Sequence, residues 1–258
     1  MIGTGPMELE AQQYRSLVDA MVERIAARMA PAGAAAAPAR GSVAAAIEHT
    51  LLDPAATEAE VERWCREAVE HAFAAVCVNP AWVAAAAARL RGTPVAVVAA
   101  IGFPLGAGLS SVLRCEAAEC LKLGADELDM VINLGALKSG RDAQVEGEIR
   151  GVTALAHGAG GRVKVILECG RLNAGEKVHA CRLALAAGAD FVKTSTGFGA
   201  SGATVEDVAL LRATVGDRAG VKAAGGIRTW AEAAALLQAG ASRLGTSAGV
   251  AIVAEAGR

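Results

Sequence analysis

The chain has 258 residues, of which 53% are hydrophobic and 3% aromatic, and its formal net charge is −2 at pH 7. That length is enough for one α/β barrel or two smaller domains with a sizeable core, which must be built mainly from Ala, Val, Leu and Ile. The near-neutral charge gives no reason to expect a nucleic acid or an acidic membrane surface as a partner.

The first 41 residues are expected to form an appendage to the main domain. Apolar residues recur every three or four positions over residues 7–30, which predicts an amphipathic helix. A low-complexity stretch from Pro31 to Gly41 follows and is typical of a linker. We therefore divide the chain into an N-terminal helix with an Ala/Pro-rich linker, residues 1–41, and a main domain, residues 42–258. The helix either caps one end of the domain or contributes to a subunit interface.

From residue 42 onward, short apolar runs alternate with amphipathic segments. The predicted strands cover residues 43–49, 73–78, 94–102, 127–133, 162–168, 191–195, 221–224 and 243–245. Each is followed by a predicted helix, so about 215 residues contain eight strand–helix units. This count and length favour a closed (β/α)8 TIM barrel with an extra N-terminal helix. An open doubly wound sheet is the alternative, but the glycine fingerprint after its first strand is missing.

The sequence also predicts a location in a reducing cytoplasm. Residues 1–8 lack the basic region and apolar core of a signal peptide, and no apolar run is long enough to span a bilayer. The six cysteines form no CxxC pair and have no nearby histidine at zinc-ligand spacing. We therefore expect buried thiols, no metal site and no cofactor.

Three lysines within the predicted strands are equally spaced. Lys164, Lys193 and Lys222 follow one another at intervals of 29 residues, so we expect them to occupy equivalent positions. Because side chains alternate along a strand, these lysines and the carboxylates of Asp129 and Glu168 are expected to converge on one barrel mouth. A lysine near a second cation loses its proton more easily and can then attack a carbonyl. A purely structural ion-pair network is the alternative.

Two glycine-rich loops follow the last two predicted strands. Gly225 and Gly226 come after the seventh strand, and Gly245, Thr246 and Ser247 come after the eighth, where a helix begins. In a (β/α)8 barrel these loops form the usual phosphate site, because backbone N–H groups and a helix N-terminus meet there. They indicate a phosphate-binding end of the site, although a Gly-Gly pair alone is more often a tight turn.

These residues belong to segments that together resemble the deoxyribose-phosphate aldolase family, whose members are class I aldolases. The matching segments are EHTLL (48–52), VCVNP (76–80), GFPLG (102–106), GADELDMVIN (124–133), VKVILE (163–168), DFVKTSTG (190–197), VKAAGGIR (221–228) and RLGTS (243–247). They run in order from about residue 42 to the C-terminus, and the last two lysine segments are the most specific.

The resemblance implies reversible cleavage of 2-deoxy-D-ribose 5-phosphate to D-glyceraldehyde 3-phosphate and acetaldehyde, without a cofactor. It implies that Lys193 forms the Schiff base, that Lys222 helps the Lys193 amine lose its proton, and that Asp129 works with Lys222 in proton transfer through a water. The implied phosphate groups are those of Gly197, Gly225, Gly226, Gly245, Thr246 and Ser247. We expect Asp129 to pair mainly with Lys222, because a closer contact with Lys193 would keep that amine protonated.

Three positions depart from the family pattern. Glu48 stands where some relatives have aspartate, Phe198 follows Gly197 where some have lysine, and the terminal tyrosine of some members is absent, since Tyr14 is the only tyrosine. Phosphate binding is therefore expected to depend on backbone amides and hydroxyls.

Four further residues are expected near the pocket: Glu48, Cys77, Lys164 and Thr194. For Cys77 an inert buried thiol is the simpler interpretation. Lys164 is either a third cation of the site or a partner of Glu168.

Two other functions fit the same residues. One is a different Schiff-base enzyme, such as a transaldolase or a keto-acid aldolase, and the other is a non-catalytic phosphosugar-binding barrel. The paired lysines on adjacent strands favour the deoxyribose phosphate hypothesis. The expected partner is a small phosphosugar, and we expect a homo-oligomer, either a dimer or a tetramer.

Overall fold

The computed structural model describes residues 43–257, which form a closed barrel of eight parallel strands. The strands are β1 (Ile47–Leu51), β2 (Ala75–Val78), β3 (Ala96–Ile101), β4 (Glu127–Val131), β5 (Arg162–Ile166), β6 (Phe191–Lys193), β7 (Gly220–Ala224) and β8 (Arg243–Thr246). Each strand pairs with the next one in the sequence, and β8 pairs back with β1. The predicted (β/α)8 barrel is therefore confirmed. The helix and linker predicted for residues 1–41 lie outside the described residues.

Helices cover the outside of the barrel. They are α1 (Glu58–Glu70), α2 (Val83–Leu90), α3 (Ser110–Lys122), α4 (Leu134–Lys138), α5 (Asp142–Gly158), α6 (Ala174–Ala186), α7 (Val205–Val215), α8 (Trp230–Gln238) and α9 (Gly249–Ala256). Several begin where the sequence provides a capping side chain: Thr57, Asn173 and Thr229 each form a complete capping box. Within residues 43–257, no helix combines the length and apolar character needed to cross a bilayer.

The two faces of the strands have different compositions. The outward residues, such as Val76, Val192 and Val221, belong to the large apolar core between barrel and helices. On the inside, Ala75 and Cys77 of β2 pack with residues of β3 in a small apolar cluster. The remaining interior, along β4 to β7 and at Glu48 of β1, is filled by charged side chains. Small apolar residues therefore occupy one part of the barrel interior, and lysines and carboxylates occupy the rest.

Three local predictions need correction. Residues 44–46, predicted as part of the first strand, form a 3-10 turn of three alanines, and β1 begins only at Ile47. Alanine favours helical turns over strands, which explains the later start. The sixth strand ends at Lys193 instead of residue 195. The sequence analysis also missed α4, which begins after a cap at Asn133, whose side chain accepts from the Ala136 N–H.

The barrel register also corrects the position expected for one lysine. Lys193 pairs directly with Lys222, but the partner of Lys193 on β5 is Ile166, and Lys164 pairs with Phe191. Lys164 therefore lies two residues nearer the N-terminal end of the barrel than the other two lysines. Equal spacing in the sequence does not give equal height, because a closed barrel staggers its strands.

Candidate active site

A cavity of about 620 Å³ opens at the C-terminal ends of the strands. Its volume lies in the range of small-molecule sites. Lys193 lines it at the end of β6, together with Thr196, Gly197 and Phe198 of the following loop. The loops after β7 and β8 supply Gly225, Gly226, Gly245, Thr246 and Ser247. The nucleophile and the phosphate groups predicted from the sequence therefore line one cavity.

Asp129 lies at the centre of the charged interior beneath this cavity. Its Oδ2 is 2.6 Å from Nζ of Lys222 and 2.9 Å from Nζ of Lys193, and its Oδ1 is 2.9 Å from Nζ of Lys164. The contact with Lys222 is the shortest, as expected, but the prediction that Asp129 pairs mainly with Lys222 is too narrow. One carboxylate holds three ammonium groups, since the strand register brings all three lysines around it.

Glu48 provides the second carboxylate of this cluster. It lies on β1, accepts a short hydrogen bond from the Lys222 ammonium and is 3.3 Å from Nζ of Lys164. Its Oε1 has no hydrogen-bond partner among the described residues. The extra methylene of glutamate therefore reaches across the barrel to Lys222, and Glu48 does not line the cavity.

The electrostatic environment fixes the charge states of several groups. Burial alone would raise the pKa of Asp129, but the positive charges of Lys164, Lys193 and Lys222 outweigh it and hold that pKa well below its ordinary range. Burial lowers the pKa of Lys222, yet the charges of Asp129 and Glu48 more than compensate, so the net shift is upward. Asp129 is therefore a carboxylate and Lys222 an ammonium at neutral pH.

Lys164 connects this cluster to the opposite end of the barrel. It is 2.5 Å from Oε2 of Glu127, whose other oxygen accepts from Arg162 at the N-terminal end of β5. The burial of Lys164 lowers its pKa, but Asp129, Glu48 and Glu127 raise it above the ordinary value. Lys164 therefore acts as a buried counter-ion below the site. It does not contact Glu168, which corrects that alternative for its partner.

Sequence analysis missed Glu127, although a signal was present. Glu127 lies two residues before Asp129, so strand alternation places both side chains on the same inward face.

Among residues 43–257, no group of three or more His, Cys, Asp and Glu side chains is arranged to hold a metal ion.

The phosphate end of the cavity has unpaired backbone donors. Within the described part of the chain, the N–H groups of Gly197, Gly225 and Gly226 donate no hydrogen bond. All three glycines have positive φ values, of 88°, 89° and 79°. A Cβ on Gly225 would lie 3.0 Å from the Cα of Gly202, so this approach requires glycine. Unpaired N–H groups around one concave surface are suited to an anion.

Thr246 at the end of β8 and Ser247 directly after it differ in whether the side-chain hydroxyl is already hydrogen-bonded. Thr246 donates through Oγ1 to the carbonyl of Ile227 at 2.6 Å and accepts from the Ala248 N–H at 2.9 Å. Its hydroxyl is therefore committed to the loop, while Thr246 itself lines the cavity and its role in phosphate binding stays a prediction. The Ser247 hydroxyl makes no hydrogen bond within the described residues and remains a donor for a ligand.

Two residues predicted near the pocket do not line it. Cys77 points into the barrel from β2, is fully buried, and burial raises the pKa of its thiol to about 11. Thr194 is also buried, and its Oγ1 bonds to the backbone of Ala224, accepting from the N–H at 3.1 Å. Because Thr194 follows the inward-facing Lys193, its side chain turns away from the barrel interior, toward the backbone of β7.

The loop after β1 forms a wall that sequence analysis did not identify. It contributes Leu52, Asp53 and Pro54, and Trp64 of α1 lies beside them. Arg228, after the two glycines of β7, adds a cation at the opposite rim. Their position directly after strand ends was the available signal, since such loops build the sites of this fold.

Comparisons with known proteins agree with the fold and place the chain in a family. Residues 42–255 match the sequence model of a family described as DeoC/LacD family aldolase. The deoxyribose-phosphate aldolase of Geobacillus sp. (strain WCH70) is 54% identical over 212 residues, which cover 82% of this chain and 95% of the relative. The deoxyribose-phosphate aldolase of Thermococcus gammatolerans is 54% identical over 213 residues, covering 82% and 95% of the two chains. The solved deoxyribose phosphate aldolase of Aeropyrum pernix, described as a unique tetrameric structure, superimposes with a TM-score of 0.79 at 35% identity, covering 83% of this chain and 91% of that one.

Proposed function

Since this chain belongs to the DeoC/LacD family of aldolases and is therefore a lyase, we propose that it reversibly cleaves 2-deoxy-D-ribose 5-phosphate to D-glyceraldehyde 3-phosphate and acetaldehyde. The observation that carries this proposal is the position of Lys193. Of the three lysines inside the described barrel, it alone lines the cavity, and its amine shares one Asp129 oxygen with Lys222. The free N–H groups of three glycines line the same cavity and fit a phosphate.

The first chemical step forms the Schiff base. The uncharged amine of Lys193 attacks C1 of the open-chain aldehyde, and the resulting carbinolamine loses water to give an iminium ion. Lys222 places a second positive charge on the same Asp129 oxygen as Lys193, and like charges so close together repel each other. The charge of Asp129 acts in the opposite sense. Glu48 matters as well, because it pairs with Lys222, the lysine that shares Oδ2 of Asp129 with Lys193.

The second step breaks the C2–C3 bond. The C3 hydroxyl loses its proton through a water to Asp129, the C3 oxygen becomes the aldehyde of glyceraldehyde 3-phosphate, and the bonding electrons move to the iminium, giving an enamine. Return of the proton to C2 regenerates an iminium, and hydrolysis releases acetaldehyde and the Lys193 amine. Asp129 is ionised and held in place by Lys222, and its lowered pKa means that it passes the proton on through the water instead of retaining it.

Trapping with borohydride tests the proposed nucleophile directly. The purified chain is incubated with acetaldehyde and sodium borohydride, and peptide mass spectrometry is expected to find an N-ethyl group on Lys193. Cleavage of 2-deoxyribose 5-phosphate is followed in parallel by a coupled assay for glyceraldehyde 3-phosphate. Lys193→Ala should lose both signals, whereas Lys138→Ala, which removes a surface lysine paired with Glu176, should keep both.

The same experiment separates the alternatives. An adduct that forms only with a keto acid would indicate a different Schiff-base aldolase. Ligand binding without any adduct or cleavage would indicate a phosphosugar-binding barrel and would refute the proposed reaction.

We also infer that the chain forms a homo-oligomer in the cytoplasm. The Aeropyrum pernix relative, which is described as tetrameric, supports the first part. All six cysteines are free thiols and five of them are buried, which suits a reducing compartment. Light scattering after size-exclusion chromatography measures the oligomeric state, and a monomeric mass would contradict the proposal. Cell fractionation tests the location.

A further inference from the structure

We propose that Glu168 is a positioning residue that holds the β6–α7 loop, residues 194–204, in the shape that presents the Gly197 N–H to the substrate phosphate. The inference rests on the proposed function and adds a residue to which the family resemblance assigns no role. It starts from an unusual environment. Glu168 is buried, with 3% of its surface exposed, yet it forms no ion pair within the described residues.

The hydrogen bonds of Glu168 run directly into the loop. Its Oε2 accepts from Oγ1 of Thr196 at 2.5 Å and from the Thr196 N–H at 3.2 Å. The same Thr196 Oγ1 accepts from the Phe198 N–H at 3.0 Å. A chain of bonds therefore runs from the carboxylate through the threonine hydroxyl to the next turn. Gly197 lies between the two bonded residues, so its peptide orientation is fixed while its own N–H stays free.

The packing around the loop brings its backbone against this carboxylate. A Cβ on Gly199 would lie 2.7 Å from Oε1 of Glu168, so the loop backbone passes directly over the carboxylate. On the other side, a Cβ on Gly202 would lie 2.2 Å from the carbonyl oxygen of Gly225, and Ala203 donates to that carbonyl at 3.0 Å. Glu168 therefore clamps one side of the loop and the second phosphate loop supports the other.

The backbone of Glu168 also points to a positioning role. Its φ of 55° and ψ of 61° lie in the left-handed region, which a glutamate rarely adopts. This conformation turns the chain at the end of β5, where Cys169 donates its N–H to the Thr194 carbonyl at 2.8 Å. The side chain is thereby directed at Thr196 instead of the lysine cluster. Charge neutralisation of the lysines thus falls to Asp129, Glu48 and Glu127.

Glu168→Ala and Glu168→Gln test the proposal with two sugars. Glu168→Ala should raise the KM for 2-deoxyribose 5-phosphate by about tenfold, since a hydrogen bond to a charged group is lost, with much less effect on kcat. The KM for unphosphorylated 2-deoxyribose should change less than twofold. Glu168→Gln retains an acceptor oxygen for Thr196 and should restore most of the affinity. Thr196→Val keeps the shape of the side chain but removes the hydroxyl that Glu168 binds, so it should raise the KM as Glu168→Ala does. It is the second variant to measure if Glu168→Ala folds poorly.

Calorimetric titration with inorganic phosphate separates this inference from the proposed function. Its Kd should weaken by about tenfold in Glu168→Ala, whether or not the chain cleaves the deoxysugar. The matched control is Glu148→Ala on α5, which removes a buried carboxylate that accepts from the Ser110 hydroxyl at 2.7 Å, away from the loop. It should leave the phosphate Kd and both KM values unchanged. Unaltered phosphate binding in both loop variants, or equal losses with both sugars, would overturn the proposal.

Discussion

Lys193 and Lys222 are direct register partners on the neighbouring parallel strands β6 and β7. Both side chains point into the barrel, and both ammonium nitrogens lie within hydrogen-bond distance of Oδ2 of Asp129. They differ in what surrounds them. Both are buried, but Lys222 has a second carboxylate, Glu48, and does not line the cavity, whereas Lys193 does. This difference is the physical basis for assigning them separate roles.

Replacing Lys222 with leucine should lower kcat for cleavage of 2-deoxyribose 5-phosphate by about 100-fold or more, the range for loss of a group that assists proton transfer. The substitution removes a permanent positive charge and leaves Asp129 and Glu48 to act on Lys193. With that repelling charge gone, the pH optimum of kcat/KM should move upward. Steady-state rates between pH 6 and about 10 measure the shift.

A matched control for that variant is Lys177→Leu. Lys177 forms a partly buried ion pair with Asp207 between α6 and α7, at 2.5 Å, on the outside of the barrel. Its loss should change stability and leave the pH optimum in place. An unchanged pH profile in Lys222→Leu would argue against the assigned role of Lys222.

Lys164→Met should act mainly on stability. The ammonium of Lys164 contacts three buried carboxylates, those of Glu48, Glu127 and Asp129. Removing one partner of such a buried ion-pair network typically lowers the free energy of unfolding by about 3 to 5 kcal/mol, because the remaining buried charges are left uncompensated. Urea denaturation at pH 7 measures this loss. A loss below about 1 kcal/mol would show that the carboxylates find other partners.

The stability of the protein should depend on pH in a direction set by the same cluster. The pKa values of Asp129 and Glu127 are lowered in the folded state, so their contribution is present above the unfolded values, near 4, and is lost as the pH falls through the folded values. The pKa values of Lys164 and Lys222 are raised, so their contribution is complete below the unfolded value of about 10.5 and is lost as the pH rises beyond it. The contribution of this cluster should therefore be level between about pH 5 and 9 and fall on both sides. Below about pH 6.5 the buried His49, whose pKa burial lowers, adds a decrease of its own. A slope between about pH 7 and 9 would contradict this charge assignment.

Cys77 should be unreactive toward alkylating reagents. The thiol is fully buried beside the lysine cluster, and burial raises its pKa to about 11, so little thiolate forms at pH 7.5. Iodoacetamide should label Cys115 on α3 first, because Cys115 is exposed. Enzyme activity should persist after one equivalent has reacted. Loss of activity in step with labelling of Cys77 would show that the pocket opens to this residue.

Much of the site could be predicted from the sequence, because alternation along a strand is a local property. Asp129 and the lysines of β6 and β7 face inward as their spacing requires, and the glycines after β7 and β8 reach the same cavity. The height of Lys164 could not be predicted in this way. It depends on the stagger between β5 and β6, which closure of the whole barrel determines.

The hydrogen-bond partner of a side chain could also not be predicted from the sequence where that partner depends on the shape of a loop. The Thr246 hydroxyl was predicted to face a phosphate, but the turn of the β7–α8 loop places the Ile227 carbonyl within its reach. Glu168 was expected among the lysines, and its left-handed backbone directs it to Thr196 instead. Such contacts depend on the local backbone conformation, which no periodicity in the sequence encodes.

Phe198→Lys should strengthen selection for the phosphorylated substrate. Phe198 follows Gly197 at the phosphate end of the cavity, is 54% exposed, and meets Phe103 edge to face at 5.4 Å between ring centroids. A lysine there adds a partly screened positive charge beside the free glycine N–H groups. Such a pair contributes on the order of 1 kcal/mol, so the KM for 2-deoxyribose 5-phosphate should fall by about fivefold. The KM for 2-deoxyribose should not fall, and added salt should reduce the gain.

Val205→Lys, at an exposed position on α7 that does not line the cavity, is the control and should change neither KM. An equal effect of both lysines would mean that the general charge of the surface, and not a phosphate bound beside Gly197, is responsible.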